Sequence, residues 1–290
     1  MENATSSFAK MSLSELLAYS TVQIRTISTN GQHGLGTGFI VNFYNSPTNY
    51  YPMIISNKHV FEGADKIHLE FTVCGTNGFP TQETYPYEAS MNDLHILKHP
   101  VNADDGDVCA LPIGHIYQVA ITSGKTLMVF PLHLSDVSID PLARASAPLS
   151  QLVMIGYPAG MRDNLNNQPI FRTGIAATNP KLDYEGKKMF FVDMAVFPGS
   201  SGSPVILYND GSLINPYTHS IAIDGQPRYV LLGIVSQQYH TKDSVKYVNP
   251  NIANSSLLSA NINVPLNLGL VIKAERILEL QHLFFEELRQ

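Results

Sequence analysis

The chain has 290 residues, 44% of them hydrophobic and only 14% charged, with 18 Lys and Arg against 24 Asp and Glu for a formal net charge of −6. A chain of this length and apolar content can bury one large core, or two of roughly 100–150 residues each, without metal or disulfide staples, which excludes disorder over most of it. Dispersed basic residues under an acidic balance exclude a broad nucleic-acid or anionic-membrane surface, so a peptide or small neutral ligand is the expected partner.

No apolar run reaches the roughly 18–20 residues that span a bilayer, and the first twenty residues show no basic stretch followed by an apolar one, so a cytoplasmic protein is expected. Ser12 to Tyr19 opens Ser-Leu-Ser-Glu, a capping-box pattern for a short helix in an N-terminal extension, 1–19. Between 20 and 130 follow short runs rich in Val, Ile, Phe and Tyr: TVQIRTIS, GTGFIVNF, YPMIIS, KIHLEFTV and DVCALPI. His95 and His99 stand four apart, but their stretch reads as an edge strand ending at Pro100 with no third ligand near, so no metal site is expected. Cys74 and Cys109 are the only cysteines and read as reduced core thiols.

Residues 131–148, PLHLSDVSIDPLARASAP, mix three prolines with polar residues and read as a linker. A second set of strand-like runs, QLVMIGYP, KMFFVDMAV, SPVILY and YVLLGIVS, fills 149–273. Ala274 to Leu288 then places Ile277, Leu280, Leu283, Phe284 and Leu288 at helical spacing, an amphipathic helix within 274–290 that reads as a packing element rather than a partner-binding one. Many short strands without intervening helices predict an all-β sandwich or barrel.

The most informative stretch is Phe197 to Pro204, FPGSSGSP. A serine with glycines at minus two and plus one suits a tight turn that exposes one hydroxyl, Ser201, and aims the Gly199 and Ser201 amides at one point as an oxyanion hole. Serine needs a general base, most often a histidine oriented by a carboxylate. His59 follows the apolar run YPMIIS, and Asp107 opens DVCALPI; Asp104 and Asp105 compete for the same role but are expected to face water. The segment fails the Gly-x-Ser-x-Gly elbow of α/β-hydrolases because position 203 is Ser.

The order His59, Asp107, Ser201 in these contexts resembles the chymotrypsin-like (trypsin-fold) serine peptidases. GTGFIV at 36–41, IISNKHVFEGADKI at 54–67, IGYPAG at 155–160, FRTGIAAT at 171–178 and LLGIVS at 231–236 lean towards the high-temperature-requirement, or Deg-like, branch. The resemblance covers about 20–275. It implies two antiparallel six-stranded β-barrels, 20–130 with His59 and Asp107 and 149–273 with Ser201, and a cleft between them that takes a protein or peptide substrate without a cofactor. It also implies a first pocket based on Ala195, six before the nucleophile, with Ile234 and Ser236 on its wall. Ala195 offers no carboxylate, so a small or medium apolar residue before the scissile bond is expected.

Several positions depart from the pattern. Ser200 replaces the Asp that pairs with a freed N-terminus, so activation by that salt bridge is not expected, although a regulatory partner that orders the oxyanion turn fits a glycine-rich segment. Ser203 replaces the usual Gly and adds a side chain near that turn. The 26 residues from Val205 to Val230 form a longer connection than the family minimum, and a branch member without a PDZ domain is expected. Obstruction by Ser203 or by the 205–230 segment is the basis of the rival reading, a non-catalytic peptide-binding protein using the same cleft.

Overall fold

A computed structural model describes residues 11–134, 143, 146–214, 221–223, 225, 227–247 and 258–289, with side chains outside that description at 212–214, 221–223, 238–247 and 258–265. Most of the expected linker (135–142, 144–145), the first ten residues of the N-terminal extension, and 215–220 of the long connection lie outside the described residues.

The first helix, α1 (Leu13–Leu17), forms as its capping box dictates: Ser12 Oγ accepts the Glu15 N–H at 3.3 Å and Glu15 Oε2 accepts the Ser12 N–H at 2.7 Å. The first half then supplies β1 (Thr21–Ile27), β2 (His33–Ser46), β3 (Asn49–Ser56), β4 (Lys66–Cys74), β5 (Pro80–Ser90), β6 (Leu97–Lys98), β7 (Cys109–Pro112) and β8 (Thr126–Leu127). They form an eight-stranded sheet in the order β5-β4-β1-β2-β3-β7-β6, with β8 on β4. A nine-residue helix absent from the sequence reading, α2 (Gly114–Thr122), follows β7 and buries Ile116 and Ala120.

The second half contains β9 (Gln151–Gly156), β10 (Ile170–Ala176), β11 (Met189–Asp193), β12 (Pro204–Asn209), a small pair β13 (Ser212–Ile214) and β14 (Ile221–Ile223), then β15 (Arg228–Tyr247) and β16 (Leu258–Lys273). Six of these close a barrel in the order β10-β11-β16-β15-β12-β9. The C-terminal helix α3 (Glu275–Glu287) ends the described chain and buries Ile277, Leu280 and Phe284.

The molecule is thus mostly β with one closed six-stranded barrel. The expectation of two closed barrels is corrected for the first half, whose ladder ends at β5 on one side and at the two-residue β6 on the other. Strand β5, PTQETYPYEAS, carries two prolines, which lack the N–H a closing ladder requires. A second difference lies at the end of the barrel. Residues 237–247 continue β15, and β16 pairs with them from Leu270 out to Leu258, well past the predicted end of YVLLGIVS.

Period-two alternation distributes the core. On β2 and β3, Phe39, Val41, Phe43, Met53 and Ile55 face a shared core that also takes Ile155, Phe191, Ile206 and Leu270 from the second half and Leu280 and Phe284 from α3. Their neighbours Ile40 and Ile54 turn the other way, to a core private to the first half with Val22, Ile24, Leu69 and Ile113. In the barrel, Met154, Phe190, Val192 and Val271 fill a third cluster. Each fully buried aliphatic or aromatic side chain contributes about 1.5–3 kcal/mol by leaving water, so the shared core holds the halves together and fixes the seam where their loops meet. Among the described residues no helix is long and apolar enough to cross a membrane.

Candidate active site

Strand β3 ends in a buried Ser56 whose hydroxyl donates to the Thr37 carbonyl at 2.7 Å, and Asn57 turns the chain into a short 3-10 turn, Lys58–Val60. Val60 and Phe61 bury into the first-half core, which leaves His59 on the outside of the turn with 40% of its side chain exposed. Opposite it, Asp107 terminates a second 3-10 turn, Asp104–Gly106, just before the buried Val108. Asn57 Nδ2 ties the two turns together by donating to the Asp107 carbonyl at 2.7 Å.

The Asp107 carboxylate grips His59 twice: Oδ2 lies 2.5 Å from Nδ1, and Oδ1 accepts the His59 backbone N–H at 3.2 Å. A carboxylate only accepts, so Nδ1 carries the hydrogen and Nε2 presents its lone pair. Beneath this pair the Cys109 thiol donates to the Ser56 carbonyl at 3.5 Å; burial pushes its pKa up, and it is an inert core thiol rather than a second nucleophile.

The Ser201 turn is fixed by backbone bonds. Ser200 N–H donates to Phe197 O at 2.9 Å, Ser203 N–H to Ser200 O at 3.0 Å, and Gly202 N–H to Val235 O at 2.9 Å. Thr37 braces it from the first half, its N–H on Ser201 O and its hydroxyl on Gly199 O, both at 2.8 Å. Within 199–203 the amides of Gly199 and Ser201 alone have no acceptor among the described residues. Both glycines are required. Gly199 has φ +90° and Gly202 φ +88°, and a Cβ at 202 would lie 1.8 Å from the Thr37 carbonyl oxygen.

Ser201 Oγ donates to the Ser236 carbonyl at 3.1 Å, while Ser236 Oγ donates to Asp107 Oδ2 at 3.2 Å. Ser201 and His59 therefore meet through Ser236 and Asp107, and no hydrogen bond joins Ser201 Oγ to the His59 ring. Ser236, read as pocket wall, has its hydroxyl turned to the carboxylate instead. Ile234, expected on the same wall, is fully buried in the shared core and paired with Pro204 and Ile272, just before a bulge between Val235 and Gln237. Ala195 is half-buried between the buried Met194 and Val196.

Two further expectations change. Asp105, expected in water, is 4% exposed and more buried than Asp107, though it faces α3 rather than His59; Asp104 is exposed and pairs with Lys187 at 2.8 Å. Ser203 does carry a side chain, but the hydroxyl sits against Gly156, where a Cβ would come within 2.0 Å of it, and it has no hydrogen-bond partner. Beside His59 opens a cavity of about 680 Å³, lined by Lys58, Lys98, Asp107, Ser236 and Gln237 among others. Thr37, Asn57 and Ser236 as braces of the site were missed: their bonds join positions 50 to 160 residues apart, and no local spacing signals them.

A family model described as a trypsin-like peptidase domain matches residues 36–214, the span that holds His59, Asp107 and Ser201. No curated protein matches the chain significantly. Similar solved structures include the Rv3671c protease from M. tuberculosis in its active form (16% identity, 90% of this chain and 79% of that one, TM-score 0.44). An inactivated protease paralogue of the scabies mite, S-I1, is similar at 12% identity over 91% and 93% of the two chains, TM-score 0.46. A protein named GrC is similar at 11% identity over 92% and 94%, TM-score 0.47.

Proposed function

The chain belongs to the trypsin-like peptidase domain family, and from that premise we propose that it is a serine endopeptidase working through an acyl-enzyme on a protein or peptide substrate. Ser201 is the nucleophile, His59 the general base, Asp107 the residue that orients the imidazole, and the Gly199 and Ser201 amides the oxyanion hole. The observation that carries the reading is the Ser236 bridge, which links the hydroxyl of Ser201 to the carboxylate that holds His59.

For the reaction Ser201 Oγ has to exchange the Ser236 carbonyl for His59 Nε2 as the acceptor of its proton. Oγ then attacks the scissile carbonyl carbon as its proton passes to Nε2, and the carbonyl electron pair moves onto oxygen facing the two unused amides. Collapse of that intermediate breaks the C–N bond, His59 gives its proton to the leaving amine, and water repeats the cycle on the ester.

The motifs at 36–41, 54–67 and 155–160 support a place in the Deg-like branch. Ala195, with no carboxylate of its own, supports cleavage after small or medium apolar residues; a peptide-library profile dominated by Arg or Lys at that position would refute it. Ser200 uses its hydroxyl locally, accepting the Phe197 N–H at 3.3 Å, so activity is proposed to need no carboxylate partner for a new N-terminus.

The test is labelling of the full-length chain, Met1 included, with a fluorophosphonate. Wild type labels, and Ser201→Ala neither labels nor turns over peptide, with kcat down by about 10³-fold or more and the fold unchanged. A wild-type chain that binds peptide but never labels favours the non-catalytic reading, and reactivity that appears only after N-terminal proteolysis overturns the inference from Ser200.

A further inference from the structure

The turn that delivers Asp107 is anchored from the far side of the molecule. Asp105 points away from His59, and its side chain is 6% exposed. Arg276, in the first turn of α3, grips it with two arms: Nη2 donates to the carboxylate Oδ2 and Nε donates to the Asp105 backbone carbonyl at 3.1 Å. The Lys188 N–H donates to the same Oδ2 at 3.2 Å. Arg276 is itself held by Glu279, whose Oε2 accepts from Nη1 at 2.8 Å.

Glu279 is shared more widely. Its Oε2 also lies 2.8 Å from His99 Nε2, and its Oε1 lies 3.0 Å from Lys188 Nζ, which reaches Glu275 at 2.8 Å. His99 Nδ1 accepts the Val101 N–H at 3.3 Å, so the ring is the neutral Nε2–H tautomer and ties the start of the Asp107 loop to the same helix. Burial works against the Glu279 charge, but the donors around it more than offset this and hold its pKa down to about 2.

Helix α3 has no need of this network for adhesion, because Ile277, Leu280 and Phe284 already bury it on the shared core. Buried ion pairs add little net stability, since desolvation offsets their attraction. What apolar contact cannot do is fix one atom in direction, and a planar guanidinium bonded at once to a backbone carbonyl and a carboxylate does so. Gly106 passes that constraint on: its backbone lies so close to Val101 that a Cβ would sit 2.1 Å from the Val101 carbonyl oxygen. The turn's own bonds, Gly106 N–H to Ala103 O at 2.8 Å, Asp107 N–H to Asp104 O at 3.3 Å and Val108 N–H to Gly106 O at 2.8 Å, join Asp105 and Asp107 in one tight unit, through which a shift of Asp105 reaches Asp107.

We propose that Arg276 is a positioning residue for the peptidase reaction: from the C-terminal helix it holds Asp105 and, through Gly106, sets where the Asp107 carboxylate meets His59. The proposal rests on the peptidase reading above, and its experiment separates the two.

Arg276→Ala alone strands a buried carboxylate, so the decisive protein is the full chain carrying Asp105→Asn with Arg276→Gln, neutral at both positions with amides in place of the charges. Three readouts apply: the low-field proton resonance of the His59 Nδ1–H on Asp107, kcat, and KM on a short peptide ester. The expected result is a folded protein whose low-field resonance moves or broadens, whose kcat falls by up to about 10²-fold, as a displacement near 1 Å produces, and whose KM stays within about twofold. Asp104→Asn with Lys187→Gln, the exposed pair on the same turn, leaves all three readouts at wild type.

A folded pair variant with wild-type resonance and kcat overturns the proposal, as does a loss of kcat with the resonance unmoved. Should the pair variant not fold, Arg276→Lys keeps the charge without the planar fork and is read in the same way. A wild-type chain that never labels with the fluorophosphonate sinks the peptidase reading, while the resonance still tests Arg276 independently.

Discussion

The turn at 197–203 and the turn at 103–107 each carry one candidate catalytic group, and different forces hold them. Around Ser201 the bonds are neutral, backbone to backbone or through the Thr37 and Ser200 hydroxyls, and the conformation needs two glycines at positive φ. Around Asp107 charged side chains are added to the turn's own backbone bonds and the Asn57 amide: Arg276, itself held by Glu279, reaches Asp105 from about 170 residues further along the chain. A neutral backbone turn responds to steric change and hardly to pH or salt. A charge-held turn responds to both.

The largest expected effect breaks the charge-held side at its working group. Asp107→Asn removes the acceptor that fixes the His59 tautomer and should lower kcat by about 10⁴-fold with the fold intact. Asp104→Asn, on an exposed pair, should leave kcat unchanged and stability within about 0.5 kcal/mol. Equal losses from both substitutions would show that Asp107 holds no special relation to His59.

The corresponding break on the neutral side is steric. In Gly202→Ala a methyl group is driven onto the Thr37 carbonyl at a φ that L residues avoid, a combined cost of about 3 kcal/mol. Thermal unfolding should show that loss, and fluorophosphonate labelling should slow as the Gly199 and Ser201 amides swing out of line. A stable, fully reactive Gly202→Ala protein would mean that the turn is not the rigid cradle described above.

Acid separates the two turns without mutation. Burial, reinforced by nearby cations, holds the His99 pKa below its ordinary 6.5, so the unfolded chain takes up the proton that the native one resists, and stability falls as pH drops below that value. Asp105 and Glu279 are held below their ordinary 3.8 and 4.5, so their contribution is present above those values and lost as pH falls towards about 2. Protonated His99 also loses the Val101 N–H bond to Nδ1. Hydrogen exchange corrected for intrinsic rates should therefore show the Val101 amide losing protection at a pH below 6.5 and that of Lys188 only below 3.8, while those of Gly202 and Ser203 stay protected. Parallel loss at both turns would remove the distinction.

The same contrast explains what could be read without coordinates. Ser201, His59 and Asp107 stand in local patterns, a glycine-flanked turn and two strand ends, and the Ser12 capping box and the α3 apolar stripe are equally local. Asp105 looked like its solvent-facing neighbour Asp104 because its partner Arg276 is remote in sequence. Ile234, which the resemblance implies for the pocket wall, is fully buried in the shared core, and that depth depends on packing between the halves that no residue type announces. Strands β5 and β16 were legible in principle, since Tyr85, Tyr87 and Ala89 alternate in one and Ile262, Val264, Leu266, Leu268 and Leu270 in the other, but the prolines and asparagines between them mask the pattern, and whether the first sheet closes depends on pairings between distant edges.

The smallest effect concerns Ser203, where the neutral turn departs from its relatives. Its hydroxyl is buried without a partner, and leaving such a group unsatisfied costs about 1–3 kcal/mol. Ser203→Ala removes the hydroxyl and keeps the amide that donates to Ser200 O, at the price of one lost oxygen's packing against Gly156. Net stability should rise by about 1 kcal/mol, roughly 2–4 °C in Tm, with labelling rate and kcat unchanged. If the hydroxyl instead obstructs the oxyanion site, the same substitution should raise kcat sharply with little change in Tm. That outcome would move the fault from the buried face of the turn to its reactive face and return weight to the peptide-binding reading of the wild-type chain.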